Sequence, residues 1–371
     1  MKKIMILGAG NAQIDAIEYC KEKGYEVYGC SYTNTDKGIP YLDHFIQLDI
    51  KDADGIAEYV KENNIDAVYS VGSDLAMPTV MKVCEMLNMP HFISYETAKF
   101  CQTKNELISF LGQDFEGNIP FIIAEKIEDA FEYKSFPAMM KPVDSQGQRG
   151  CYRVNGREDI EKHFEDSLSF SKSGRVIIEK YIDGPEVSVN AYVQNGEVKF
   201  MLVSDRKVFE DLPGGIIKEH ILPSVSTTDE GKKNVYDLVK RTLAKLSILN
   251  GPVYFQIKMD GDFPVIIEVT PRLDGCHMWN LINNYCGFNL LEASFEHLLG
   301  NVQIEASAEP KHDNLKLAFY CEKPGTVFDS EKHQPKENAL YSCKYYETGD
   351  TVKSLNGYME KCGYQIYEEI K

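Results

Sequence analysis

Over residues 1–96, short apolar runs alternate with stretches whose apolar residues recur every three or four positions. That alternation leaves few folds open. Ile4–Leu7 is an apolar run ending at Gly8. From about Ala12 to Lys23, Ile14, Ile17 and Cys20 are spaced for one helix face, with Gly24 where a C-terminal cap is expected. Tyr25–Gly29, His44–Leu48, Asp66–Val71 and His91–Ser94 read as further strands, and Asp54–Asn63 and Pro78–Leu87 as helices. Strands alternating with helices imply a parallel, doubly wound sheet.

Gly8-Ala9-Gly10 after the first strand invites a dinucleotide-binding reading. Two parts of that fingerprint are missing. Gln13 stands where the third glycine belongs, and Cys30-Ser31-Tyr32-Thr33-Asn34 supplies no acidic residue for a ribose. A plain strand-to-helix turn, with glycine for close packing, is the better reading.

From about Thr97 the texture changes. Lys99–Leu111 and Asp229–Asn250 have helical spacing, the latter through Val235, Leu238, Val239, Thr242, Leu246 and Leu249. Pro137–Lys141, Val176–Ile182, Glu186–Val193 and Val198–Val203 read as strands, the last two joined by the hairpin signal Asn195-Gly196. Val253–Met259 and Val265–Val269 form a second hairpin around Asp260-Gly261-Asp262-Phe263-Pro264. After about Asn301, short strands (Leu315–Cys321, Ala339–Tyr346) lie among many turn residues. The expected organisation is an N-terminal domain over 1–96, a central α+β domain over 97–300 with a lid at about 116–185, and a small β-rich C-terminal domain over 301–371.

Composition narrows the function. The net charge of -17 repels phosphate backbones, so nucleic acid is not an expected partner. No stretch approaches the roughly 18 apolar residues of a membrane span, and the run after Met1-Lys2-Lys3 is too short for a signal-peptide core. The cytoplasm is the expected compartment. The ten cysteines include no C-x-x-C, which fits reduced, mostly buried thiols. Zinc is not expected, because Cys276-His277 has no second ligand pair near it in sequence.

Three segments carry candidate chemistry. In the second hairpin, symmetry about Asp262 would set Met259 opposite Val265 and Gln256 opposite Glu268. Directly opposed residues have Cβ atoms about 5 Å apart, so Gln256 and Glu268 would offer oxygens to one point, with Thr270 two residues on. Mg²⁺ takes one or two carboxylates and leaves room for phosphate oxygens. Arg272 follows, placed to stabilise charge in a transition state. A solvated hairpin face explains the same residues. The second segment is Lys141-Pro142 and the polar loop Asp144–Gly150, where a lysine and backbone amides can hold phosphate. A plain surface hairpin is the alternative. The third is Glu179-Lys180-Tyr181-Ile182-Asp183-Gly184-Pro185-Glu186, an apolar strand ending in a polar linker.

In this order, and with Lys104 at a helix start, these segments resemble the ATP-grasp superfamily. The resemblance spans about residues 1–300, and the N-terminal sheet is similar to the domain preceding ATP-grasp in biotin carboxylase, carbamoyl-phosphate synthetase and purine-synthesis ligases. It implies that Lys104 and Lys141 hold the ATP phosphates, with Ser145 and Gly147 in the loop closing over them. It implies that Glu179, Lys180 and Ile182 line the adenine pocket and Glu186 binds ribose. Glu268 and Gln256 become metal ligands, Thr270 stands where many relatives carry asparagine, and Arg272 steadies an acyl phosphate. The implied cofactors are ATP and one or two Mg²⁺, with Mn²⁺ as the alternative ion. The implied activity is ATP-dependent ligation of a small-molecule carboxylate to an amine, with release of ADP and phosphate. Carboxylation, carbamoyl-phosphate-type chemistry or formyl transfer, an NAD(P)-dependent dehydrogenase and a non-catalytic ATP-binding protein are the alternatives. Relatives are commonly dimers, so a homodimer is expected. Candidate substrate contacts are Asp74 after a first-domain strand, His220 at the end of a covering loop from Pro213, and His277. Each serves equally well as a structural hydrogen-bonder.

Overall fold

The computed structural model describes residues 1–143, 150–212, 215–300, 302–354 and 357–369. The N-terminal unit runs β1 (Lys3–Leu7), α1 (Asn11–Glu22), β2 (Glu26–Ser31), β3 (His44–Gln47), α2 (Ala53–Glu62), β4 (Ala67–Tyr69) and α3 (Met77–Leu87). Its four strands are parallel in the order β3-β2-β1-β4. The alternation expected from sequence is therefore present, with one difference. His91–Ser94 forms no strand. Phe92 turns inward, edge-on to Tyr69 at 5.9 Å, and the Ser94 hydroxyl accepts from the Thr97 N–H at 3.1 Å to cap the next helix.

That helix is also shorter than expected. Lys99–Leu111 is two helices, α4 (Tyr95–Gln102) and α5 (Lys104–Leu111), because Thr103 between them is extended at φ -123°, ψ 128°. The break places Lys104 at a helix start, where the sequence put it.

The segment expected as the lid follows as β5 (Phe121–Ala124), α6 (Ile127–Ala130), β6 (Ala138–Pro142), β7 (Tyr152–Val154), α7 (Arg157–Ser169) and β8 (Val176–Lys180). Its strands form an antiparallel sheet in the order β5-β8-β6-β7. One face packs a separate core of Ala138, Met140, Val154, Ile160, Phe164, Val176 and Ile178. The other face is turned inward.

The body is an eight-stranded sheet ordered β13-β12-β9-β10-β11-β14-β16-β15. Its elements are β9 (Glu186–Gln194), β10 (Glu197–Val208), β11 (Ile217–Leu222), α8 (Asp229–Lys245), β12 (Gly251–Asp260), β13 (Phe263–Thr270), α9 (Met278–Cys286), α10 (Leu290–Gly300), β14 (Leu315–Glu322), β15 (Ala339–Lys344) and β16 (Glu360–Glu368). Asn195 and Gly196 both have positive φ, as a two-residue hairpin turn requires. Helix α8 stops at Lys245 rather than Asn250, since Ser247 adopts φ 53° and turns the chain. The C-terminal strands continue this sheet through the β11–β14 pairing and add a small core of Tyr320, Phe328, Tyr346, Val352 and Cys362. No two cysteines among the described residues are bridged, and seven are buried. Among the same residues, no helix is long and apolar enough to cross a membrane.

The N-terminal unit is locked to the body where Gly72 meets Gly275. Gly72 has φ +67°, its N–H donates to the Leu273 carbonyl at 3.2 Å, and a Cβ there would lie 2.8 Å from the Gly275 Cα. Gly72→Ala is expected to destabilise the fold by about 1–3 kcal/mol through overpacking and backbone strain, read by urea denaturation. An unchanged midpoint would mean that this junction yields freely.

Candidate active site

The central sheet has one apolar face and one polar face, and the polar face is covered. Register shows how. Glu268, Gln256, Ser188 and Ser204 are opposed in one row across β13, β12, β9 and β10, and Thr270, Tyr254 and Asn190 form the next. Residues opposed across antiparallel strands share a face. The intervening Phe255, Ile257, Val187 and Val189 point into the core. Several buried polar atoms on the covered face have no partner: Thr270 Oγ1, Asn190 Nδ2 and Arg206 Nε. Burying polar groups unpaired is unfavourable unless something else satisfies them, so this face is built to receive a polar ligand.

The β12–β13 register confirms the Gln256–Glu268 pairing by a route other than symmetry. The turn is Gly261-Asp262, with Asp260 opposite Phe263 and Met259 opposite Pro264, not Val265. A one-residue bulge at Ile267 then restores the register, so that Gln256 faces Glu268. Burial pushes the Glu268 carboxyl up, and the nearby Asp74 charge adds to this. Arg272, Arg206 and Lys104 oppose the shift without cancelling it. A carboxylate in that state gains from a cation. Glu268, the oxygen of Gln256 and the orphan hydroxyl of Thr270 therefore fit the oxygen-donor set that Mg²⁺ prefers.

On the facing lid strands, Met139 stands opposite Glu179 and Lys141 opposite Ile177, so Lys141 and Glu179 are diagonal neighbours on the inward face. Glu179 is only 4% exposed. Its Oε1 accepts from both Lys104 Nζ and Lys141 Nζ, each at 2.8 Å, while Oε2 is buried without a partner. Burial alone would raise the Glu179 pKa, but the two ammonium groups outweigh it and hold the carboxyl below its usual range. Lys141 is shifted down, by burial first and then by Lys104. Two cations share one anion. The surplus positive charge in a partly buried site calls for a further anion.

The linker between β8 and β9 runs between these two halves. Lys180 reaches Asp260 at 2.6 Å, and Ile182 packs with Ile108, Ile119, Ile177 and Val265. Gly184 is required there, since a Cβ would fall 1.5 Å from the Met259 carbonyl oxygen. Glu186 Oε2 accepts from Gln256 Nε2 at 2.9 Å and from Arg206 Nη1 at 2.5 Å, with Lys258 Nζ 3.9 Å from Oε1. Ser145 and Gly147, and Pro213-Gly214 of the covering loop, lie outside the described residues.

Arg272 is buried and forked onto Asp74, Nε to Oδ1 at 2.8 Å and Nη2 to Oδ2 at 2.6 Å. Burial disfavours its charge, but Asp74 more than compensates and its pKa rises. The sequence named both residues separately, and the structure joins them. His220 differs from its expected setting. It lies inside strand β11, not on a loop, and is fully buried with no well-formed hydrogen bond at either ring nitrogen. His277 is buried between domains. Nδ1 contacts Asp15 Oδ2 at 2.6 Å, Nε2 contacts the Tyr345 hydroxyl at 2.5 Å, and the ring stacks on Tyr364 at 4.3 Å. Both nitrogens are thus engaged by protein. Sequence reasoning missed Arg206 and Asp15. Arg206 was detectable from the Asn195-Gly196 hairpin, but only with the bulge between Val198 and Phe200 included.

The glycine turn after β1 is already filled. The Gly10 N–H donates to Gln13 Oε1 at 2.9 Å, and Gln13 Nε2 donates to the Val71 carbonyl. An amide that a pyrophosphate would need is therefore taken by the side chain replacing the third glycine.

Two lysines thus share Glu179, which the sequence reading had assigned to the adenine pocket, and the charge of Lys104 also reaches Glu268. Residues 134–279 match the profile of the ATP-grasp domain. The chain carries an ATP-grasp domain. Protein y4rH of Sinorhizobium fredii is 24% identical over 297 residues, which cover 78% of this chain and 61% of that protein. The chain thus spans less than two thirds of that relative. Among solved structures, phosphoribosylglycinamide synthetase from Anaerococcus prevotii superposes with TM-score 0.81 at 19% identity, covering 100% of this chain and 94% of that one. The L-amino acid ligase from Bacillus licheniformis gives TM-score 0.79 at 19% identity, covering 99% and 93%. These likenesses show that the fold is shared over the whole length of the chain.

Two outcomes follow from the charges. Lys141→Met leaves Glu179 paired with Lys104, so the free protein is expected to keep its thermal midpoint while nucleotide affinity falls by ~10²-fold, as for loss of one preorganised electrostatic contact. Calorimetric titration with ADP reads the second effect, and a large drop in midpoint with intact affinity would contradict the assignment. The raised Glu268 carboxyl predicts a pH effect of definite sign. In the metal-free protein its ionisation opposes folding, so its contribution improves as pH falls through the raised folded value toward the ordinary 4.5. Mg²⁺ affinity runs the other way and weakens over that window. Glu268→Gln should flatten both profiles, and an unchanged Mg²⁺ profile would remove Glu268 from the metal site.

Proposed function

We propose that the protein is an ATP-dependent ligase that joins a small-molecule carboxylate to an amine and releases ADP and phosphate. The observation that carries this reading is that the charges of Lys104, Arg206 and Arg272 all bear on the buried Glu268 carboxyl. Such a site works by positioning and charge stabilisation.

Lys104 and Lys141 bind phosphate oxygens, exchanging Glu179 for them. Lys180 and Ile182 border the base, and Glu186 accepts from ribose hydroxyls. Glu268 and Gln256 would hold Mg²⁺, with Thr270 as a weaker third donor. Bound there, Mg²⁺ would supply positive charge to the polyphosphate. A carboxylate oxygen of the substrate attacks the γ-phosphorus, the bond to ADP breaks, and an acyl phosphate forms. The amine nitrogen then attacks the acyl carbon, phosphate departs with the former carboxylate oxygen, and the nitrogen loses a proton. Arg272, held rigid by Asp74, faces the negative charge that develops in both steps. The likeness to the L-amino acid ligase supports amino acids as the first class of substrates to test.

Incubation with ATP, Mg²⁺ and hydroxylamine across a panel of carboxylates is expected to give a hydroxamate together with ADP and phosphate. Arg272→Ala should lower that rate by ~10²–10³-fold. Formation of AMP and pyrophosphate would refute the acyl-phosphate route, and ADP release dependent on bicarbonate or formate would identify carboxylation or formyl transfer instead.

A further inference from the structure

Beyond Arg272 the chain passes through Leu273-Asp274-Gly275-Cys276, and the side chains of Asp274 and Cys276 come to lie against His220 of β11. One ligating atom from each of the three lies within 4.8 Å of the other two. All three are buried, at 0% exposure for His220, 5% for Asp274 and 8% for Cys276. We propose that His220, Asp274 and Cys276 form a binding site for a zinc-type divalent cation, separate from the Mg²⁺ site at Glu268.

Unsatisfied atoms carry the proposal. Asp274 Oδ2 is buried without a hydrogen-bond partner, and the His220 ring nitrogens make no well-formed hydrogen bond, the ring standing only near the Asp205 backbone. A histidine kept in the core for packing normally satisfies at least one nitrogen. Here an imidazole nitrogen, a carboxylate oxygen and a thiol lie within 4.8 Å of one another, and a hydrogen bond between any two still leaves donors or acceptors over. A cation satisfies all three at once. Asp274 Oδ1 is held by the Met278 N–H at 3.2 Å, which orients Oδ2 as a ligand and provides the outer hydrogen bond typical of metal-binding carboxylates.

The donor set specifies the ion. One nitrogen, one thiolate sulfur and one carboxylate oxygen suit zinc and exclude Mg²⁺, which takes oxygen ligands. Zinc bonds of about 2.0–2.3 Å at tetrahedral angles hold donors roughly 3.5 Å apart, so closure from the observed spacing needs only a movement on the order of 1 Å. Three protein ligands leave a fourth position open, as in catalytic zinc sites. Lys361 competes for the site. Its Nζ lies 3.2 Å from Cys276 Sγ in the metal-free protein. Binding releases the Cys276 thiol proton and turns Lys361 from a partner of the free thiol into a neighbour of a metal-bound thiolate.

The test is spectroscopic and independent of ATP. Purified full-length protein is stripped with a chelator and titrated with Co²⁺ in excess Mg²⁺. The expected result is one equivalent of Co²⁺ bound, with a thiolate-to-cobalt charge-transfer band that Zn²⁺ abolishes and Mg²⁺ does not. Cys276→Ser should remove the band, Asp274→Asn should weaken Co²⁺ binding by at least ~10-fold, and Cys20→Ser should change neither. Lys361→Met, which removes the competing ammonium, should tighten binding. Circular dichroism of each variant shows whether it folds, and Lys361→Met keeps the test decisive if a ligand variant does not. Absence of the cobalt band in the wild type, its survival in folded Cys276→Ser, or weaker binding in folded Lys361→Met would overturn the site.

Discussion

The geometry of this protein turns on one buried carboxylate. Glu179 collects two ammonium groups from different parts of the chain, Lys104 at the start of α5 and Lys141 in the lid strand β6. A single anion between two partly buried cations leaves positive charge over. That charge has no reason to persist in a stable core, because desolvation penalises every unpaired ion. It makes sense as half of a site whose other half arrives with the ligand. The same logic applies across the cleft with opposite sign. Glu268 is buried near Asp74, and its carboxyl is pushed up by burial first and by the Asp74 charge second. A polyphosphate with its metal ion would satisfy both halves together.

The second constraint is the anchoring of the body to the N-terminal unit. Arg272 forks onto Asp74, Asp15 Oδ2 meets both His277 and the Trp279 indole N–H, and Gly72 packs on Gly275. All three contacts fall within nine residues after β13. The parallel sheet thus sets the position of the segment that leaves the metal strand, and through it the guanidinium of Arg272. This explains why a domain that holds no part of the lysine pair still matters to the site. It also explains why His277 is engaged on both nitrogens: it fastens the first domain to the C-terminal strands through Asp15, Tyr345 and Tyr364.

Much of this was legible in the sequence where local chemistry decides the outcome. Alternating strands and helices gave the parallel sheet, Asn195-Gly196 gave a hairpin, and lysine and carboxylate positions in order gave the family resemblance. Legibility failed where tertiary packing overrides local pattern. His91–Ser94 has strand-like residues but caps a helix, and Lys99–Leu111 has helical spacing but breaks at Thr103. The hairpins show a subtler limit. Each contains a one-residue bulge, and a single extra residue moves every later side chain to the other face. Counting outward from the turn therefore hid Arg206 beside Glu186. It paired Gln256 with Glu268 correctly only because a misplaced turn centre and an unseen bulge cancelled. His220 with Asp274 and Cys276 was out of reach altogether, since His220 lies more than fifty residues before the other two in the chain.

The most direct test of the central claim is a crystal structure with Mg²⁺ and a non-hydrolysable ATP analogue. The account predicts the nucleotide between the lid sheet and the polar face of the central sheet. Lys104 and Lys141 should have moved from Glu179 to phosphate oxygens, and the metal should be in contact with Glu268. Nucleotide bound at the Gly8–Gly10 turn, or phosphates bound with both lysines still on Glu179, would contradict it.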